Sequence, residues 1–120
     1  MATDATVALL IAAYNAEATI ARAIDSALAQ AEVSEIIVID DASRDKTAAI
    51  AEGARDPRVR VLRQSVNSGP AAARNLGLAN ATADWIGVLD ADDYLQPGRI
   101  GRVLAYADDA DFIADVLLRA

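Results

Sequence analysis

Two apolar runs in this chain stop on acids. Ile36-Ile37-Val38-Ile39 ends at Asp40-Asp41, and Trp85-Ile86-Gly87-Val88-Leu89 ends at Asp90-Ala91-Asp92-Asp93. Burying unpaired charge is too costly for a core, so each run reads as a buried strand whose carboxyl end opens to solvent or to a ligand. The segments between them say how such strands are joined. Residues 7–13 read as a first buried strand. Across residues 17–30, Ile20, Ala23, Ile24, Ala27 and Leu28, with Ala31 just beyond, recur at the three-four spacing of an amphipathic helix. Ser43 or Asp45 can cap a second helix carrying Ala48, Ile50, Ala51 and Ala54, which Asp56-Pro57 breaks. Residues 59–62, with alternating arginines, read as a short edge strand. Ser68-Gly69-Pro70 starts a third helix with proline at its first position, and Leu76 with Ala72 or Ala73 faces inward. Pro97 opens a fourth helix carrying Ile100, Val103, Leu104 and Ala107, and residues 112–118 look like a fifth strand.

Such alternation predicts an α/β fold of three layers, α/β/α, around a mainly parallel sheet with right-handed crossovers. Ligands of open parallel sheets bind in the crevice outside the carboxyl ends of the strands, where both acidic pairs are expected to face. At 120 residues the chain is one domain, spanning residues 1–120, with no internal repeat or linker. Its net charge of −7 argues against nucleic acid or an anionic membrane as partner, since both need a basic footprint. Phosphate binding would have to rely on a metal, on backbone amides or on one or two arginines. There is no cysteine and no histidine, which removes thiolate metal sites, the usual zinc ligand and the usual general base. No apolar run approaches the ~20 residues of a membrane span, and the amino terminus lacks a basic signal region. A cytoplasmic chain is the expectation.

The acidic clusters have two readings each. Asp90, Asp92 and Asp93 can be a solvated turn, or can hold a hard divalent cation, Mg²⁺ or Mn²⁺, which takes oxygen ligands and shares its shell with substrate phosphates. Their position after so apolar a run favours the cation. Asp40 and Asp41 can cap the helix that follows or accept a hydrogen bond from a nucleobase edge or ribose hydroxyl. Arg74, beside Asn75 on the third helix, can be a surface residue or a phosphate ligand. Tyr14, before Asn15, can stack on a base or cover the sheet edge. By pattern alone Glu17, Arg44, Arg99 and Arg102 read as ordinary surface charges.

Four motifs carry a resemblance. Residues 7–15 followed by Glu17, then Ile36-Ile37-Val38-Ile39-Asp40-Asp41-Ala42-Ser43-Arg44-Asp45-Lys46-Thr47, then Asn67-Ser68-Gly69-Pro70-Ala71-Ala72-Ala73-Arg74-Asn75-Leu76-Gly77, and then residues 85–93 with Pro97-Gly98-Arg99-Ile100, stand in the order and spacing of family-2 inverting glycosyltransferases of the GT-A fold. The chain resembles their amino-terminal, nucleotide-sugar-binding half, and its tone is that of bacterial exopolysaccharide or cell-surface enzymes. The resemblance implies nucleotide binding by Ala12, Tyr14, Glu17, Asp41, Arg74, Asp90 and Ala91. Tyr14 and Asp41 would lie at the base, Arg74 near base and phosphates, and Asp90 at the ribose. Asp92 would bind a Mn²⁺ or Mg²⁺ ion bridging the diphosphate. The implied partner is a nucleotide diphosphate sugar, with a UDP-sugar as first guess, and the implied chemistry is inverting transfer to a saccharide or lipid-linked acceptor. In the full-length protein the chain would sit in the cytoplasm, with a place at the membrane face as the alternative.

Two positions depart from the family pattern: Ala12 stands where a proline is usual, and Ala42 where a glycine is usual. Both are expected to loosen a turn without removing a ligand. No residue matches the family's catalytic base, which lies in a second, acceptor-binding half. The expectation is therefore a GT-A donor-binding domain with its catalytic residues unknown, and whether it transfers sugar alone stays open. A non-catalytic nucleotide-binding fragment is one alternative. A receiver-like phosphoacceptor domain is another, though that class sets its acidic pair after the first strand, where this chain has Tyr14-Asn15, and a lysine after the fifth. The one lysine is Lys46. The apolar residues 112–118, left as a sheet edge, are expected to pair with another copy and give a homo-oligomer.

Overall fold

In the computed structural model, residues 5–105 are described. Over them strands and helices alternate as β1 (Val7–Ala13), α1 (Ile20–Leu28), β2 (Val33–Asp40), α2 (Thr47–Glu52), β3 (Val59–Arg63), α3 (Pro70–Asn80), β4 (Trp85–Val88) and α4 (Arg99–Leu104). The strands form one sheet in the order β3-β2-β1-β4, every neighbouring pair parallel. Ala13 lies beside Asp40 at the ends of β1 and β2, and Leu10 beside Val88 on β4.

The two-residue period of the strands divides the core into two faces. Val7, Leu9, Ile11, Ile36 and Val38 pack on one side against Ile20, Ala23, Ile24 and Ala27 of α1, Ala51 of α2, and Ile100 and Leu104 of α4. Leu10, Ile37 and Ile39 pack on the other against Ala73 and Leu76 of α3. The result is the three-layer α/β/α arrangement expected from the sequence. Full burial of each large aliphatic side chain contributes about 1.5–3 kcal/mol, so the paired centre of β1 and β2 anchors the molecule. α3 comes unusually close to the sheet at Gly77, where a Cβ would stand 2.7 Å from Cδ1 of Ile39 and 3.2 Å from Cδ2 of Leu10.

Several boundaries differ from expectation. β2 starts at Val33, and α1 starts at Ile20 because residues 17–19 form a turn. Pro70 does open α3, but α4 begins at Arg99, two residues after Pro97. β4 is not the fully buried run that its composition suggests. Among the described residues it pairs only with β1, so Trp85 and Val88 are half-buried and Ile86 is exposed. Among the described residues β3 is an edge strand, as its arginines indicated. The expected fifth strand at residues 112–118, the self-association expected through it, and Ala107 of the fourth helix lie outside the described residues. No described helix is long and apolar enough to cross a membrane.

Candidate functional site

After β1 and β2 the chain moves outward to β3, then returns across the sheet to place β4 on the other side of β1. The strand order therefore reverses between β1 and β4, and the loops leaving their carboxyl ends part to form a crevice. A cavity of about 450 Å³ sits there, lined by Ala12, Tyr14, Asn15, Ala16, Ala18, Thr19, Asp90, Ala91 and Asp92. Five of the residues singled out from the sequence meet in it: Ala12, Tyr14, Asp90, Ala91 and Asp92. Tyr14 is 49% exposed, which leaves an aromatic residue accessible to a planar ligand at the cavity.

Asp90, Asp92 and Asp93 bring one carboxylate oxygen each within 4.8 Å of the others. A Mg²⁺ ion holds oxygen ligands at about 2.0–2.1 Å, so ligands at neighbouring corners of its octahedron stand about 3 Å apart, and the three oxygens would have to draw together to share one ion. All-oxygen donors suit Mg²⁺ or Mn²⁺, so this donor set fits the expected cation. Asp90 and Asp92 are exposed, as ligands that must also reach a substrate phosphate should be.

Asp41, Glu17 and Arg74 do not line the cavity. Asp41 is 4% exposed, and its two carboxylate oxygens accept from the backbone amides of Ser68 at 2.8 Å and Gly69 at 2.9 Å. Strand periodicity explains why. Asp41 follows Ile37 and Ile39 on the α3 side, so it holds the loop that enters α3 at Pro70. Asp40 follows Ile36 and Val38 on the opposite side, where its Oδ2 accepts from the Ser43 amide at 3.3 Å and its buried Oδ1 has no hydrogen-bond partner among the described residues. The two acids after β2 thus serve opposite layers. Glu17 turns toward α2, accepting from the Lys46 amide at 3.0 Å. Arg74 is exposed on α3.

The loop after β1 is tied to the loop after β2 by residues for which the sequence suggested no such role. The Asn15 amide donates to Ser43 Oγ at 2.8 Å, and Asn15 Oδ1 accepts from the Arg44 amide at 2.9 Å. Asn15 holds φ 50°, a left-handed conformation that asparagine tolerates better than most residues. The Ala16 amide donates to Thr47 Oγ1 at 2.8 Å. Ser43 is therefore a cross-loop acceptor rather than a helix cap. The N-cap position of α2 is Lys46, which makes no side-chain cap; Asp45 before it accepts from the hydroxyl and amide of Thr47, the first residue of the helix, and from the amide of Glu17. The Thr47 hydroxyl, helped by those amides, holds the Asp45 carboxyl below the usual carboxylate range.

The loop after β4 is fastened to α1. Arg22 Nη2 donates to the Asp92 carbonyl at 3.0 Å, and its guanidinium lies 4.5 Å from the centre of the Tyr94 ring. Ser26 Oγ accepts from the Leu95 amide at 2.9 Å. Gln30, 1% exposed, donates to the Gln96 carbonyl at 2.9 Å and accepts from the Ile100 amide at 3.1 Å. The four-residue spacing of Arg22, Ser26 and Gln30 was visible in the sequence. Their partners, about 70 positions away, were not.

Comparisons with known proteins bear on the family and the fold. The model of glycosyl transferase family 2 matches residues 8–119. Succinoglycan biosynthesis protein ExoU of Rhizobium meliloti is 51% identical over 111 residues, which cover 91% of this chain and 32% of ExoU. Succinoglycan biosynthesis protein ExoO of the same organism is 48% identical over 105 residues, covering 87% of this chain and 30% of ExoO. Among solved structures, S. aureus TarS in complex with UDP-GlcNAc superposes with a TM-score of 0.79 at 29% identity, over 87% of this chain and 31% of TarS 1-349. A complex of the same protein with UDP superposes equally well, with a TM-score of 0.79. The chain spans about a third of the length of these relatives. Its sheet and flanking helices have the GT-A architecture of these neighbours. From its sequence and its fold alike, the chain belongs to glycosyl transferase family 2.

Proposed function

We propose that this chain is the donor-binding part of an inverting glycosyltransferase and binds a nucleoside diphosphate sugar, UDP-linked in the first instance, together with Mn²⁺ or Mg²⁺. The observation that carries the reading is the cavity where the strand order reverses, lined by Tyr14 from the loop after β1 and by Asp90 and Asp92 from the loop after β4. An aromatic ring and carboxylates lining one cavity suit the two ends of a nucleotide, one planar and one polyanionic. The complexes of TarS with UDP and UDP-GlcNAc support the same ligand class. With a net charge of −7, the chain has little positive charge of its own to offer a diphosphate. Asp92, with Asp90 and Asp93 beside it, would hold the cation. The chemistry that a divalent cation supplies at such a site is neutralisation of charge developing on the departing diphosphate. In the whole protein the acceptor would be a saccharide or a lipid-linked saccharide, and the succinoglycan biosynthesis relatives favour an exopolysaccharide product.

Titration calorimetry with UDP, GDP and dTDP, with and without Mn²⁺, tests the proposal. UDP is expected to bind more tightly with Mn²⁺ present, and Asp92→Ala should remove that dependence. Failure of all three nucleotides to bind at millimolar concentration with Mn²⁺ would refute it.

A further inference from the structure

We infer that Arg22 and Ser26, together with Gln30 beyond the end of α1, are positioning residues for the acidic loop, so that cation affinity depends on a helix that supplies no ligand. The inference rests on the cation reading above and extends it to residues outside the cavity wall.

From Asp90 to Gly98 the chain has no regular secondary structure, and these residues must still present three like charges together. Mutual repulsion among the carboxylates works to open such a loop whenever no cation is bound. Its internal support is slight, a turn in which the Asp93 amide donates to the Asp90 carbonyl at 3.0 Å. Among the described residues, most of the side-chain hydrogen bonds that reach the loop run along α1 in matching order, with Arg102 Nη1 of α4 adding one to the Pro97 carbonyl at 3.2 Å. Arg22 meets Asp92 and Tyr94, Ser26 meets Leu95, and Gln30 meets Gln96 and Ile100. Arg22 and Ser26, four apart, lie on one face of α1, one turn above another, and Gln30 follows just past the helix end, so these side chains form a ladder along which the loop is laid.

The rungs are firm. Ser26 Oγ is itself fixed, because its hydroxyl donates to the Ala23 carbonyl at 2.8 Å while it accepts from Leu95. Gln30 is buried with both ends of its amide engaged. Leu95 and Ile100, on either side of the Gln96 anchor, are buried in the core beneath α1. Arg22 bonds the carbonyl of Asp92 and not its carboxylate. An ion pair there would compete with a cation, whereas a bond to the backbone fixes the residue and leaves its carboxylate oxygens available. A loop held in the liganding geometry beforehand does not have to be ordered when the cation arrives, and that saving appears as affinity.

The test measures Mn²⁺ affinity by electron paramagnetic resonance in the presence of UDP, and amide exchange in cation-free protein, for wild type, Arg22→Met, Arg22→Lys and Ser26→Ala. Arg22→Met keeps the aliphatic stem and removes the donors. It should weaken Mn²⁺ binding roughly tenfold, the lower end of what loss of an outer-shell partner costs a metal site. Affinity for UDP in chelator should change less than about twofold, because the residue touches no part of the cavity that needs no cation. Arg22→Lys, which retains a charged donor, should recover part of the loss. Ser26→Ala should speed exchange at the Leu95 amide in the cation-free protein and weaken Mn²⁺ in the same direction. Wild-type protein that binds no Mn²⁺ overturns the cation reading and this inference with it. Wild-type protein that binds Mn²⁺ beside Arg22→Met and Ser26→Ala variants that bind it equally well overturns this inference alone.

Discussion

Ala42 and Asp41 are adjacent and show how much one position can carry. Ala42 stands at φ 63°, the left-handed region where a Cβ crowds the backbone at a cost of about 1–2 kcal/mol. The family resemblance places glycine there, and the structure gives the reason: the turn out of β2 needs that conformation so that Ser43 can reach Asn15. The alanine does more than loosen a turn, because it strains one. Ala42→Gly should therefore raise stability by about 0.5–1 kcal/mol, the steric relief exceeding the entropy that glycine adds to the unfolded chain. Urea denaturation checks this, and a destabilised variant would show that the turn is relaxed as it stands. Asp41 next to it accepts two backbone amides from within the core. Asp41→Ala should lower stability by about 1–3 kcal/mol, since two charge-assisted hydrogen bonds are lost and their donors left unpaired. It is also expected to weaken nucleotide binding in the absence of metal, either by losing a direct contact or by releasing the loop before α3. Calorimetry on the folded variant separates the two effects, and wild-type affinity in a destabilised protein would leave Asp41 with the loop alone.

At the scale of elements, what could be read in the sequence was whatever repeats at short range. Ile20, Ala23, Ile24 and Ala27 announced α1, Gly69-Pro70 announced the start of α3, and Ile36-Ile37-Val38-Ile39 announced β2, because periodicity and turn chemistry are local. The acids after β2 and β4 were legible as strand ends. Which layer each acid would serve depended on the parity of residues along β2, and the partners of Arg22, Ser26 and Gln30 depended on the path of a distant loop. The partial exposure of β4 was hidden for a related reason: a run such as Trp85-Ile86-Gly87-Val88 records apolar character, not how many neighbours a strand has. Gly77 carries the tightest constraint between elements. In α3 an alanine would gain about 1 kcal/mol of helix propensity, but its Cβ would overlap Ile39, which is fully buried and hemmed in by Leu10. Overpacking of a filled core costs about 1–3 kcal/mol, so Gly77→Ala should be net destabilising. Adding Ile39→Val removes the Cδ1 that the new methyl meets, and the double variant should be more stable than the sum of the single changes predicts. Strict additivity in thermal melts would mean that α3 shifts away from the sheet instead.

On the scale of the whole molecule, the site and the core are mechanically continuous. The loop after β1 is bonded to the loop after β2 through Asn15, Ser43 and Thr47, and the loop after β4 is bonded to α1, whose other face is the core. The loops after β1 and β4 can therefore come apart only when these attachments fail, and unfolding of the loops and of the core should be one transition. Binding to the native state alone stabilises it by RT ln(1 + [L]/Kd), about 1.4 kcal/mol at a tenfold excess of ligand over Kd. For a domain of about 100 residues that corresponds to a rise in Tm of roughly 5–10 °C. UDP with Mn²⁺ should produce a shift of this size, as a single transition displaced upward at all probes. A chelator should reverse most of it, and the metal-independent remainder should persist in Asp92→Ala. Circular dichroism in the far ultraviolet reports the helices, and Trp85 fluorescence reports β4, the strand nearest the acidic loop. If the two probes separate, so that the fluorescence transition moves with ligand while the helical one stays, the loops fold apart from the core and the continuity described here does not hold.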